Sequence, residues 1–280
     1  MTPDPRMTER GPLAVRAPDG VTVAVHQAGD PRGSAIVFIH GYSQCHLSWA
    51  RQMASDLARA FRLVAYDLRG HGSSDKPLEP ICYTDPRRWA DELQAVIDAL
   101  GAGRVLLVGW SYGGRVICDY LAHHGEARVA GINFVDAVTA SDPALFGAGR
   151  GYHAGMASED LAANIAATRQ FLRDCFATPP AADDFATMLA FNMVVPPRVR
   201  AAMGGRAAHY DAVLRRVTVP VLVTHGLEDA LVLPAMGRHT AAIVRGARAS
   251  YYPGVGHSPF WEDAPRFNAE LAAFAAAAFG

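Results

Sequence analysis

Val105-Leu106-Leu107-Val108-Gly109-Trp110-Ser111-Tyr112-Gly113 reads as a buried strand running into a Gly-X-Ser-X-Gly turn, with a helical stretch following over 115–123. Such a turn places a serine at a sharp, strained corner, its hydroxyl pushed out at the edge of a sheet. Glycines on either side let neighbouring chain approach without a Cβ clash. The pattern fixes only three positions. Its setting, a strand before and a helix after, is what gives it weight.

The chain has 280 residues, 50% of them hydrophobic, enough for the core of one large domain. A net charge of −1 gives no footprint for nucleic acid or for an anionic membrane surface. The polar, proline-rich residues 1–20 lack the apolar segment of a secretory signal, and no run approaches the ~20 apolar residues of a membrane span. Cys45, Cys82, Cys118 and Cys175 are scattered without a Cys-X-X-Cys spacing. They read as free thiols in a reducing compartment, so a cytoplasmic location is expected. No paired-histidine metal spacing, no Gly-Lys-Ser/Thr phosphate loop and no Gly-X-Gly-X-X-Gly fingerprint occurs, so neither metal nor cofactor is expected.

Outward from the serine turn, strands are predicted over 21–26, 35–40, 61–67, 104–108, 129–135, 220–225 and 249–252. Helices are predicted over 49–59, 86–100, 236–243 and 264–279. Short, continuously apolar strands alternating with helices imply a mostly parallel sheet covered on both faces. His40, Asp67, Ser111, Asp136 and Asp229 all fall just after such strands, which gathers them at one rim. The rhythm breaks after Asp136. Residues 138–210 read as a helical insertion over the rim, dividing the chain into a first core part (1–137), a lid (138–210) and a second core part (211–280).

A serine hydroxyl needs a base, and the base needs a partner that fixes its tautomer. For this topology the chain order is serine, acid, histidine. His257 lies in the flexible Gly254-Val255-Gly256-His257 loop after the last strand and is the base of choice. His225 ends a strand at the same rim and reads as support for the acid loop. Asp229 follows the penultimate strand and is preferred as the acid over its neighbour Glu228, which would point elsewhere in a tight loop. Asp136 is the alternative acid position, read more readily as a cap or turn former. Two oxyanion donors are expected, the backbone N–H groups of Tyr112 and of Tyr42. His40 and His71 read as braces for their loops.

His40-Gly41-Tyr42, Asp67-Leu68-Arg69-Gly70-His71-Gly72-Ser73-Ser74, Gly109 to Gly114, Gly226-Leu227-Glu228-Asp229 and Gly256-His257 together resemble the α/β-hydrolase superfamily, over almost the whole chain from Val21. Within it the chain is similar to small esterases, cofactor-free perhydrolases and C–C hydrolases. The resemblance implies an α/β-hydrolase fold, with Ser111 as nucleophile, Asp229 as acid and His257 as base. A serine esterase acting on small to medium hydrophobic esters is expected, with acyl transfer to an alcohol competing with hydrolysis if aromatic crowding excludes water from the pocket. C–C hydrolysis, lactonase or perhydrolase activity and a ligand-binding receptor with little turnover are the alternatives. For C–C hydrolysis an arginine reading a substrate carboxylate is implied, with Arg115, Arg169 and Arg198 as candidates and Arg115 read as lying on the helix after the turn. Trp110, Leu231, Val232, Phe260 and Trp261 flank the three catalytic loops and are expected to contact substrate, although each also suits core packing. Phe146, Tyr152, Met156, Phe171, Phe191 and Met193 are the lid residues that would add to the pocket. The expected partner is a small-molecule ester. The oligomeric state stays open, a homodimer included.

Overall fold

A computed structural model describes residues 12–147 and 151–280. Eight strands form one sheet: β1 (Leu13–Arg16), β2 (Thr22–Ala28), β3 (Ala35–Ile39), β4 (Arg62–Tyr66), β5 (Val105–Trp110), β6 (Val129–Val135), β7 (Val221–Gly226) and β8 (Arg248–Tyr252). Their order is β1-β2-β4-β3-β5-β6-β7-β8. The first two pairings, β1 with β2 and β2 with β4, are antiparallel, and all the others are parallel. Every residue of β3, β5, β6 and β7 is buried, as expected of strands covered by helices on both faces. This is an α/β-hydrolase fold.

The topology locates the site. After β3 the chain runs to β4 on one side, then crosses back to β5 on the other. Loops leaving β3 and β5 therefore diverge, and a crevice opens beyond their carboxyl ends. The register sets Ile39 beside Gly109, so the loops after the two strands begin side by side.

Two sequence expectations change. Residues 49–59 do not form one helix but short turns at His46–Trp49, Ala50–Met53 and Leu57–Ala60. Ser55 breaks the run: its hydroxyl donates to Gln52 O at 2.7 Å and accepts from the Leu57 N–H at 3.2 Å, competing with the helix ladder. Strand β1 was not predicted. Only Val15 of its four residues is buried, which leaves no apolar alternation to see, although Asp19-Gly20 carries the turn chemistry of a hairpin. The polar, proline-rich reading of 1–20 lies largely outside the described residues. Among the described residues, no helix is long and apolar enough to cross a membrane. All four cysteines are buried free thiols.

Between β6 and β7 lie the helices Tyr152–Met156, Leu161–Asp174, Ala182–Met193 and Pro197–Gly204. Arg200, fully buried, is their knot. Its Nη1 donates to Met156 O (3.0 Å), Asn164 Oδ1 (2.7 Å) and Thr168 Oγ1 (3.0 Å), and its Nη2 donates to Asn192 O. Burial without a carboxylate partner pulls this guanidinium down to about 10. The Tyr42 hydroxyl donates to Arg200 O at 3.1 Å and so ties the helices to the loop after β3. Arg200→Met would strand four acceptors in a dry interior. We expect a loss on the order of 3 kcal/mol, read as a lower urea midpoint, whereas an unchanged midpoint would show that the knot contributes nothing.

Candidate active site

Ser111 ends β5 and caps the helix Tyr112–His124 with φ 54° and ψ −111°. A non-glycine residue in that region stores roughly 1–3 kcal/mol of strain. Three backbone hydrogen bonds hold it: its N–H donates to Val135 O (2.9 Å), and its carbonyl accepts from Gly114 (3.0 Å) and Val138 (3.0 Å). At roughly 1 kcal/mol net each, these bonds offset the strain. The flanking glycines are steric necessities. A Cβ on Gly109 would lie 2.6 Å from Ile117 Cδ1, and one on Gly113 would collide with Ile39 O.

Asp229, in the loop after β7, is buried, whereas Glu228 beside it is exposed. Its Oδ1 accepts from the N–H groups of Leu231 (2.9 Å) and Val232 (3.0 Å), and its Oδ2 faces His257 Nδ1 at 2.6 Å. Burial alone would raise this carboxyl, but His257, His225 and the two amides outweigh it and hold it well below the usual carboxylate range. For His257, burial pulls the pKa down, and Asp229 reverses the sign, so the net shift is upward. The backbone of His257 is fixed as well, because Trp110 Nε1–H donates to His257 O at 2.7 Å.

Two further buried groups join this pair. Asp136, at φ 43°, accepts the Gly226 N–H at 2.9 Å through Oδ1, and its Oδ2 has no hydrogen-bond partner among the described residues. It caps no helix; ligand atoms of Asp136, Asp229 and His257 lie within 4.8 Å of one another. His225 Nε2 hydrogen-bonds Val232 O at 2.9 Å and lies 3.4 Å from Asp229 Oδ2 and 3.6 Å from Asp136 Oδ1. Its placement matches the expected support of the acid loop. Burial raises the Asp136 carboxyl, and it would lower His225, whose two carboxylate neighbours shift it upward instead.

Ser111 and His257 open on one cavity of about 310 Å³, together with Tyr42, Tyr112, Leu231 and Val232. No acceptor among the described residues takes the Tyr42 or the Tyr112 backbone N–H. The Tyr112 amide begins a helix, where the dipole favours negative charge. His40 and His71 are the braces expected of them. Leu68 N–H donates to His40 Nε2 (3.0 Å), and Ser43 N–H to His71 Nε2 (3.2 Å), while their Nδ1 atoms bond Gly41 O and Arg69 O. Burial pulls both imidazoles down, to about 4 and about 3, so they stay neutral.

Trp110, Phe260 and Trp261 lie elsewhere. Strand alternation turns Trp110 to the face opposite Gly109, where it packs edge-on against Phe260, ring centroids 4.8 Å apart. All three surround a separate void of about 10 Å³, too small for a substrate, with Phe191 on its wall. Of the other lid candidates, Phe146 and Phe171 line the larger cavity, and Met156 is packed in the core. Arg115 lines it too, as do Met203 and Arg206; Arg169 and Arg198 do not. Arg206 follows Gly204-Gly205 in irregular chain, so no periodicity marked it.

The geometry makes one point measurable. In Asp229→Asn the carboxylate that raises His257 is gone and burial remains. The His257 titration midpoint, followed by NMR, should move to lower pH; an unmoved or raised midpoint would contradict the pairing.

A model of the alpha/beta hydrolase family matches residues 36–270. A bifunctional esterase/perhydrolase of Acinetobacter calcoaceticus is 30% identical, over 93% of this chain and 98% of that protein. A non-heme haloperoxidase of Rhodococcus erythropolis is likewise 30% identical, over 93% and 98%. Among solved structures, a candidate aryl esterase of Burkholderia cenocepacia superposes with TM-score 0.92 at 39% identity, covering 96% of this chain and 99% of that one. An esterase of Rhodococcus superposes with TM-score 0.89 at 36% identity, covering 95% and 99%. These likenesses support a hydrolase, and with the sheet order and the serine turn already described, the chain belongs to the alpha/beta hydrolase family.

Proposed function

We propose that the protein is a carboxylic ester hydrolase working through an acyl-enzyme on Ser111. The observation that carries this reading is that Ser111, at its strained corner, lines one cavity with His257, whose Nδ1 is bonded to the buried Asp229. His257 takes the Ser111 proton as Oγ attacks the ester carbonyl. Asp229 fixes the tautomer by accepting Nδ1–H and stabilises the imidazolium that forms. The Tyr42 and Tyr112 N–H groups receive the oxyanion, a contribution on the order of 10²–10³ in rate per donor. His257 then protonates the departing alcohol, and a water it deprotonates releases the acid. The upward-shifted His257 must be neutral to act as base, so kcat/KM is expected to fall on the acid side of its raised pKa.

Phe146, Phe171, Met203, Leu231 and Val232 give the cavity its apolar wall, which suits small to medium hydrophobic acyl groups. Residues 138–210 act in this reading as a lid, because Phe146, Phe171, Met203 and Arg206 of that segment complete the cavity over Ser111. A second reading draws on the esterase/perhydrolase relative: the same acyl-enzyme would hand its acyl group to hydrogen peroxide or an alcohol instead of water. Product analysis with either acceptor added would show a peracid or a new ester beside the free acid.

The direct test is Ser111→Ala assayed on short p-nitrophenyl esters. A loss on the order of 10⁴ or more in kcat is expected, with the thermal midpoint little changed. Retention of near wild-type turnover by that variant would remove Ser111 as nucleophile.

A further inference from the structure

The cavity beside Ser111 is apolar along most of its wall and positively charged at one place. Two guanidiniums, Arg115 and Arg206, line it. Arg206 is compensated: its Nη2 donates to Asp119 Oδ2 at 2.7 Å, its Nη1 donates to the Tyr112 hydroxyl at 3.1 Å, and Tyr210 OH donates to Asp119 Oδ1 at 2.7 Å. One carboxylate is thereby fully engaged. Arg115 has no carboxylate partner among the described residues. Among the described residues its guanidinium makes one hydrogen bond, from Nη1 to Arg206 O, and its buried Nε has no acceptor. Two cations against one anion leave a unit positive charge beside the cavity. Burial pulls the Arg115 pKa down, as it does for a charge lacking its counter-ion.

Nη1 is occupied and Nε is shut away from solvent, so Nη2 is the donor left for a ligand, and it suits a charge-assisted hydrogen bond to a carboxylate oxygen. Position matters as much as charge. Arg115 stands four residues beyond Ser111, in the first turn of the helix that begins at Tyr112, and lines the same cavity. A group held by Arg115 therefore sits a short spacer away from the carbonyl that Ser111 attacks. We propose that Arg115 forms an anion subsite, and that the ester this enzyme takes carries a carboxylate a few carbons from the scissile carbonyl, as in a half-ester of a short dicarboxylic acid. The assignment rests on the esterase reading for its reaction, and on the unpaired guanidinium for its selectivity. Apolar lining accommodates the spacer and the alcohol, and the half-buried setting of Arg115 strengthens the ion pair relative to one in water.

Monomethyl and dimethyl glutarate share the spacer and the scissile methyl ester, differ in whether the far carboxyl is free or methylated, and make the test once the diester's two equivalent esters are counted. The wild type is expected to turn over the half-ester with the higher kcat/KM. In Arg115→Met the half-ester to diester ratio should fall about tenfold or more, mainly through KM, and Arg115→Lys should recover part of it. Calorimetric binding of both compounds to the Ser111→Ala protein, with and without Arg115→Met, reads the subsite without turnover. A wild type that prefers the diester, or an Arg115→Met loss that falls equally on both compounds, overturns the proposal. Should the wild type bind the half-ester preferentially through Arg115 yet hydrolyse neither compound, the subsite stands and the esterase reading fails.

Discussion

The Ser111 N–H donates to Val135 O, and the Ser111 carbonyl accepts from Gly114 and Val138. Through these bonds the end of β6 and the chain beyond it keep a serine at a backbone angle that costs roughly 1–3 kcal/mol. The rest of the site takes its position from that corner. The corner lets a helix start immediately at Tyr112, whose amide has no acceptor among the described residues. It also brings Gly113 against Ile39, close enough that no side chain fits, and so sets the loop after β3, with its second free amide at Tyr42, alongside. The reversal of strand order between β3 and β5 is what leaves room for a ligand there.

Electrostatically the site has two poles. On one side a buried network of Asp136, His225, Asp229 and His257 concentrates carboxylates, and only the two outermost atoms of Asp229 are fully matched by amides and imidazole. On the other, Arg115 and Arg206 stand near one carboxylate, Asp119, which is paired with Arg206. A buried charge without a partner is expensive to keep. A half-buried arginine at the edge of a cavity is tolerated at lower cost, and it stays available to a ligand. Between the poles lie Ser111 and the two free amides. In the proposed mechanism negative charge develops on the carbonyl oxygen there, away from Asp229 and towards the helix N-terminus.

Much of this was legible in the sequence because it rests on local rules. Continuous apolar runs such as 105–108 report strands buried on both faces, and glycine-bracketed polar residues at strand ends report a rim. Glu228 and Asp229 were separable because a tight loop can bury only one of two adjacent acids. The rest depends on long-range packing. Strand β1 has one buried residue and is held by its partner rather than by its own pattern. Trp110 flanks Ser111 in sequence, yet strand alternation turns its ring away, so it braces the His257 backbone and does not touch the cavity. Asp136 looks like a turn former until β7 is laid beside β6 and brings Gly226 to its carboxylate. Arg206 has no periodic signal, because its place is set by pairing with Asp119 across 87 positions of chain.

In the proposed mechanism Ser111 carries the acyl group in turnover. Acid-quenching the protein early in its reaction with a p-nitrophenyl ester and mapping its peptides by mass spectrometry tests this directly. The peptide containing Ser111 should gain the mass of one acyl group, in step with the p-nitrophenol burst, and lose it as the ester is exhausted. A burst with the acyl mass on any other residue, or steady turnover with Ser111 unmodified throughout and no burst, would contradict it.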